Sequence, residues 1–198
     1  LEAVEIESGE IRRFYLRELQ FDYRYSIFKG ELKNKYLITS VIFKLNKFPF
    51  FKIEYGNIKA ELENMHYQNL SIAVIRKAVS AIRSRKLPEP KELGNAGSFF
   101  KNPVVDALLF SELQKKFPNI VAYKLDTGKY KLAAGWLIDN AGLKGVQKGK
   151  VGVHKNQALI LVNLGGASGK EVLDFSKLIQ ERVFEKYGVE LEREVNAV

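Results

Sequence analysis

Cysteine is absent from this sequence, which excludes a disulfide framework, a thiolate metal site and a cysteine nucleophile. Histidine is nearly so: His66 and His154 stand far apart, without the neighbours that a zinc site or a Ser-His pair requires. Both read as surface or satisfied core residues. No apolar run approaches the roughly 20 residues of a membrane span. The opening LEAVEIESGE has neither the basic lead nor the apolar stretch of a signal peptide. It also lacks an initiator Met, which predicts that the chain is a portion of a longer protein. The P-loop spacing, a GxGxxG opening a helix and a GxSxG nucleophile elbow are all missing. LGGASGKE (164–171) reads instead as a glycine turn into a capped helix.

What is present is the composition of a folded protein. The 198 residues are 46% hydrophobic and 28% charged, enough for one large domain or two small ones with a real core. The net charge of +9 points to anionic partners, either nucleic acid or a phosphorylated metabolite. Acidic residues interrupt the basic ones, however, and the cluster Arg83-Ser-Arg-Lys86 is short, so charge alone favours a solvated basic surface. Aromatics mix with basic residues in FDYRYSIFK and FPFFKIEY, as in base-stacking platforms. No RRM or KH signature follows, and no nucleic-acid partner is predicted.

Residues 1–22 alternate about a turn at Ser8-Gly9, predicting a hairpin. YLITSVIFKL (36–45) predicts a strand, and 48–67, aromatic but without a clean period, an ordered loop. Ile72, Ile75, Val79 and Ile82 predict a helix behind Asn69 or Ser71. Pro88 and Pro90 stop it and mark a domain boundary. Further on, a helix is expected over 104–118, a hairpin over 120–132 about Asp126-Thr-Gly128, a short helix in LAAGWLIDNAGL and a buried strand over 157–163. Ser168 and Glu171 have capping-box spacing before a face of Val172, Phe175, Ile179 and Val183, and Gly188 ends that helix. VELEREV (189–195) reads as a final strand. Strands first, then helices and strands mixed, predict an α+β fold.

GNAGSFFKNP (94–103) sets the Ser98 hydroxyl at the lip of a glycine turn, with Phe99 and Phe100 behind it. A hydroxyl held still can serve as a proton donor, and glycines permit close approach of a ligand. From the residues alone, a structural turn with two rings in the core is the simpler reading.

The strings DYRYSIFK, EYGNI, RKLPEPKELGNAGSFFKNPVV, KLAAGWLIDNAGLKG, GVHKNQALILVN and LEREV follow one another in a familiar order. Through them nearly the whole chain resembles the UDP-N-acetylenolpyruvoylglucosamine reductase (MurB) family, flavoenzymes of bacterial peptidoglycan and cell-wall synthesis. The resemblance implies reduction of UDP-N-acetylglucosamine enolpyruvate to UDP-N-acetylmuramate, with NADPH reducing bound FAD. It implies that Ser98 protonates the substrate carbanion, that Arg24 binds the enolpyruvyl carboxylate and that Glu194 acts with it. Tyr55, in the loop-bearing type of the family, would close over the nucleotide. Lys86, Asn102 and Gln157 would contact the diphosphate or sugar. Tyr25 stands where relatives often carry an acid.

The implied layout is the C-terminal part of a FAD-binding domain over 1–84, with a substrate-covering loop at about 47–67. A substrate-binding domain over 85–187 and a returning C-terminal strand over 188–198 would follow. Most flavin contacts would lie upstream, so the chain alone is expected to be catalytically silent. The parent is expected to be a cytoplasmic monomer with no nucleic-acid or membrane partner. The alternative is a non-catalytic UDP-sugar-binding or RNA-binding module.

Overall fold

The computed structural model describes residues 1–54, 57–67 and 69–196. The chain divides into two compact units, Leu1–Phe51 and Lys52–Val198.

In the first unit, β1 (Glu2–Glu5), β2 (Ile11–Arg13) and β3 (Tyr36–Ser40) form an antiparallel sheet in the order β2-β1-β3. The expected hairpin is present: Glu2 pairs with Arg13 and Val4 with Ile11, and Gly9 turns the chain at φ 75°. Its small core is Ala3, Phe14 and Leu19, closed by Phe28 and Tyr36. The rings meet edge-on, Phe14 at 5.1 Å from Phe28 and 5.2 Å from Tyr36, the geometry that ring quadrupoles favour. β3 stops at Ser40, short of the expected 36–45. Residues 41–50 are exposed throughout. Strand propensity describes a side chain that suits a sheet surface, and no ladder takes up these residues.

The second unit opens with α1 (Ile58–Asn64) and α2 (Ile72–Lys86). α1 lies in the stretch read as loop; seven residues are too few to show a helical period. The Ser71 hydroxyl caps α2 by accepting from the Val74 N–H at 3.3 Å. Leu87 then turns extended (ψ 135°) before Pro88, as steric conflict with a following proline requires. Because the units divide at Phe51, both helices fall in the second one; Pro88 and Pro90 lie inside that unit.

Next come β4 (Gly94–Ser98), β5 (Val104–Val105), α3 (Ala107–Lys116), β6 (Ala122–Lys124), β7 (Tyr130–Leu132) and α4 (Ala134–Asn140). β8 (Gln147–Lys148), β9 (Val151–Val153), β10 (Ile160–Asn163) and α5 (Gly169–Tyr187) complete the order. Two antiparallel sheets result, β4-β10-β9-β8 and β5-β7-β6. Phe175, Ile179, Val183 and Tyr187 of α5 are buried in a core shared with Phe99, Phe100, Leu137 and Leu161. Each large side chain removed from water there contributes about 1.5–3 kcal/mol. The architecture is mixed α+β, as the order of elements suggested.

Three local expectations are corrected. GNAGS is strand β4 rather than a plain turn. The helix expected over 104–118 begins only at Ala107, because Asp106 accepts from the Leu109 N–H at 2.8 Å and the preceding valines pair with β7. Residues 189–195 do not form a regular strand; they make one antiparallel bridge, Arg193 to Phe100.

Candidate functional site

The opening glycines of β4 are explained by its register. Against β10, Ser98 pairs with Ile160 but Asn95 pairs with Val162, with a shift between the two pairs. Three steps along β4 are matched by two along β10, which is a β-bulge. Gly97 takes the bulge at φ 71°, a left-handed conformation that a side chain resists. The Asn95 side chain braces it, accepting from the Gly97 N–H at 3.0 Å and donating to the Leu93 carbonyl at 2.9 Å. A bulge re-aims the residue beyond it, here Ser98, which is exposed while Phe99 and Phe100 are buried. The two rings pack edge-on at 5.3 Å and anchor the strand under the hydroxyl.

The chain beyond Ser98 is held on both sides. The Phe99 N–H donates to Leu159 O at 2.8 Å, and Phe99 O accepts from the Glu194 N–H at 2.9 Å. The Lys101 N–H donates to Glu192 O at 2.8 Å. Glu194 therefore sits opposite Phe99, one residue diagonal from Ser98. The ladder brings the Glu194 backbone, from a distant part of the sequence, to the residue that follows Ser98.

Asn102 and Gln157 converge on the first turn of α4. Asn102 Oδ1 accepts from the Ala134 N–H at 2.9 Å, which satisfies one of the donors that a helix start leaves open. A Cβ added at Gly135 would lie 3.6 Å from Gln157 Oε1, so the glycine admits that side chain against the helix. Gln157 is half-buried in the turn before β10.

Lys86 ends α2 and is exposed. It borders a cleft of about 210 Å3 between α1 and α2 that Glu61 and Arg85 also line. The buried Glu61 carboxylate accepts from Arg85 and pairs with it, which raises the Arg85 pKa further. Pro88 O accepts from Asn95 Nδ2 at 3.4 Å, linking the end of α2 to β4.

Arg24 belongs to the first unit. It occupies a tight turn closed by reciprocal backbone bonds between Asp22 and Tyr25, 3.2 and 3.1 Å, and its own φ is 54°. A non-glycine residue there costs about 1–2 kcal/mol. Its guanidinium lies 5.9 Å from the Tyr23 ring centroid. Tyr25 covers Gly30, where an added Cβ would come within 2.1 Å of the tyrosine hydroxyl. The tyrosine thus supports the turn by packing where an acid would act by charge. Tyr55 lies outside the described residues.

Sequence reasoning passed over Tyr123 and Lys131, opposite each other in β6 and β7, with the ammonium 5.8 Å from the ring centroid. Tyr123 is 55% exposed. Leu132 next to this pair bonds Pro103 O, beside Asn102. The exposed aromatic in a two-residue alternation was the available signal. Among the described residues, no cluster of three or more acidic, histidine or cysteine side chains could hold a metal ion.

Comparisons with known proteins place the chain among relatives. The family model for the C-terminal domain of UDP-N-acetylenolpyruvoylglucosamine reductase matches residues 89–198. A reductase of that name from Flavobacterium johnsoniae is 48% identical over 197 residues, 99% of this chain and 58% of the relative. One from Amoebophilus asiaticus is 47% identical over 198 residues, again 58% of its length. The crystal structure of the reductase (MurB) from Thermus caldophilus aligns over 99% of this chain and 52% of its own, with a TM-score of 0.53 and 28% identity. The chain thus spans 58% of the length of these curated relatives. With its bulged serine strand and returning glutamate inside the matched region, the chain belongs to the UDP-N-acetylenolpyruvoylglucosamine reductase family.

Proposed function

We propose that the protein containing this chain reduces the enolpyruvyl ether of UDP-N-acetylglucosamine to a lactyl ether, in the cytoplasm and for peptidoglycan synthesis. One observation supports the reading: a bulged strand exposes Ser98, and the backbone ladder brings Glu194 opposite the neighbouring Phe99. A simple binding module has no need of a hydroxyl re-aimed by a strained glycine.

FAD fits the remainder of the protein better than this chain. The β2-β1-β3 sheet leaves Ile11, Leu37 and Ile38 exposed, apolar surface that further chain or an isoalloxazine ring can cover. When bound, FAD reduced by NADPH supplies the hydride. The residues of this chain do the rest. Hydride arriving at the enolpyruvyl β-carbon drives the electron pair toward the carboxylate as an enolate. Arg24, always cationic, offers two parallel N–H donors to that carboxylate and stabilises charge where it develops. Ser98 Oγ–H gives its proton to the α-carbon, which breaks the O–H bond, forms the C–H bond and fixes the stereocentre; solvent then restores the serine. Glu194, placed diagonally, polarises the intermediate or shares that proton.

Lys86, Asn102 and Gln157 bind the diphosphate and sugar, and Tyr55 covers the nucleotide. Asn102 spends Oδ1 on α4, so its amide N–H group is the one offered to substrate. Residues 1–84 act with the flavin part, 85–187 bind substrate, and 188–198 return Glu194. No described helix is long and apolar enough to cross a membrane.

The test uses the full-length protein with its upstream part. A flavin absorbance that bleaches with NADPH and recovers anaerobically with substrate is expected. Ser98→Ala should leave bleaching and substrate affinity intact while recovery slows by about 10²–10⁴-fold, the usual contribution of a positioned proton donor. Recovery at the unaltered rate would overturn the assignment.

A further inference from the structure

The segment that carries Glu194 is short and pairs with residues 99–101, just beyond β4. Between residues 192 and 194 it makes two ladder bonds, Lys101 N–H to Glu192 O and Glu194 N–H to Phe99 O. A pairing held by two backbone bonds opens readily. Two side chains outside the proposed chemistry hold the segment in register. Gln180, one face of α5, donates from Nε2 to Leu191 O at 2.6 Å. Lys101 donates to and pairs with Glu192; the lysine side chain is 19% exposed and the glutamate 71%. Val189 and Leu191 are buried between them while Glu190 and Glu192 face outward, so the segment lies against the core in one alternation only. A slip of one residue would turn every side chain over.

We infer that Gln180 and Lys101 are positioning residues: they clamp the C-terminal segment so that Glu194 reaches the substrate intermediate beside Ser98. This rests on the proposed role of Glu194. Both bonds hold the residues just before the bridge at Arg193–Phe100, one from α5 and one from the residue after Phe100. Gln180 fixes how far the segment travels past α5, and Lys101 fixes its register along residues 99–101. Neither residue needs to touch substrate. Their effect is geometric, and displacement by about 1 Å can cost a reaction about 10²-fold.

The clamp makes a prediction that ordinary stabilisation does not. In the full-length, flavin-loaded protein, bleaching by NADPH does not involve Glu194, whereas recovery with substrate does. Gln180→Leu and Lys101→Met should each slow recovery about threefold to tenfold, with bleaching within about twofold of the parent. Lys101→Arg, which keeps a donor and a charge, should restore recovery. Glu192→Gln provides a milder disruption if Lys101→Met fails to fold. Glu194→Gln is measured alongside. If it slows recovery while the clamp variants do not, the clamp is wrong and the role of Glu194 stands. Should Glu194→Gln leave recovery unchanged, the role of Glu194 falls and the clamp with it. Bleaching and recovery falling together, with flavin released, would make Gln180 and Lys101 merely structural and overturn the inference.

Discussion

At the scale of single residues, Gly97 and His154 carry consequences that can be measured apart from activity. A methyl group at Gly97 would meet nothing within 4 Å, so Gly97→Ala tests backbone strain without steric conflict. The left-handed conformation (φ 71°) should cost about 1–2 kcal/mol, lowering the unfolding midpoint by about 2–8 °C for a domain of this size. If the bulge is what aims Ser98, recovery of flavin absorbance with substrate should slow more than bleaching does.

His154 Nδ1 is buried without a hydrogen-bond partner. Desolvation, and then the charge of Lys155, push the imidazole below its usual pKa. The unfolded chain therefore takes up a proton near pH 6.5 before the folded one does, and the stability contributed by the neutral ring is present above that pH and lost as pH falls through it. The expected result is a fall in unfolding midpoint from pH 7.5 to 5.5 that His154→Gln makes shallower; identical slopes would contradict it. Ser98 was legible in the sequence because its motif is a contiguous string. The bulge was not, because a strand's register exists only against its partner, and β10 lies far along the chain.

At the scale of elements, helices were read better than strands. α2 and α5 carry their own capping and periodicity: Ser71 accepts from Val74, and Ser168 and Glu171 cap each other. That exchange holds the Glu171 carboxyl below its ordinary pKa. β5 and the 192–194 segment carry no such local signal. Val104 and Val105 have the composition of a helix flank or a strand, and only pairing with β7 decides between them. Asp106 marks the boundary. Asp106→Ala should remove the α3 cap at a cost of about 0.5–2 kcal/mol, read from denaturant unfolding as a lower midpoint with unchanged slope. The same reasoning explains α1, whose seven residues are held by packing on α2 and by Glu61 with Arg85 more than by any pattern of their own.

For the molecule as a whole, the division at Phe51 falls within residues 41–54, which carry no regular structure. Lys44, Lys47 and Lys52 are exposed there, so brief trypsin treatment should cut first in this stretch and leave a resistant fragment that begins there. Mass spectrometry of the early fragments checks it; first cleavage inside α5 or β10 would contradict the boundary. The net charge of +9 had left the nature of the partner open, since charge reports a field and not a site. The site itself emerges from pairing across distance. Lys101 and Glu192 are 91 positions apart, so during synthesis residues 99–101 emerge long before the segment that covers them. At about 5–20 residues per second, a ribosome needs roughly 5 to 20 seconds to supply that cover. For that interval the nascent protein presents an open strand edge beside Phe99 and Phe100. It is a window in which a chaperone can bind, or another growing chain can pair wrongly, before Glu194 exists.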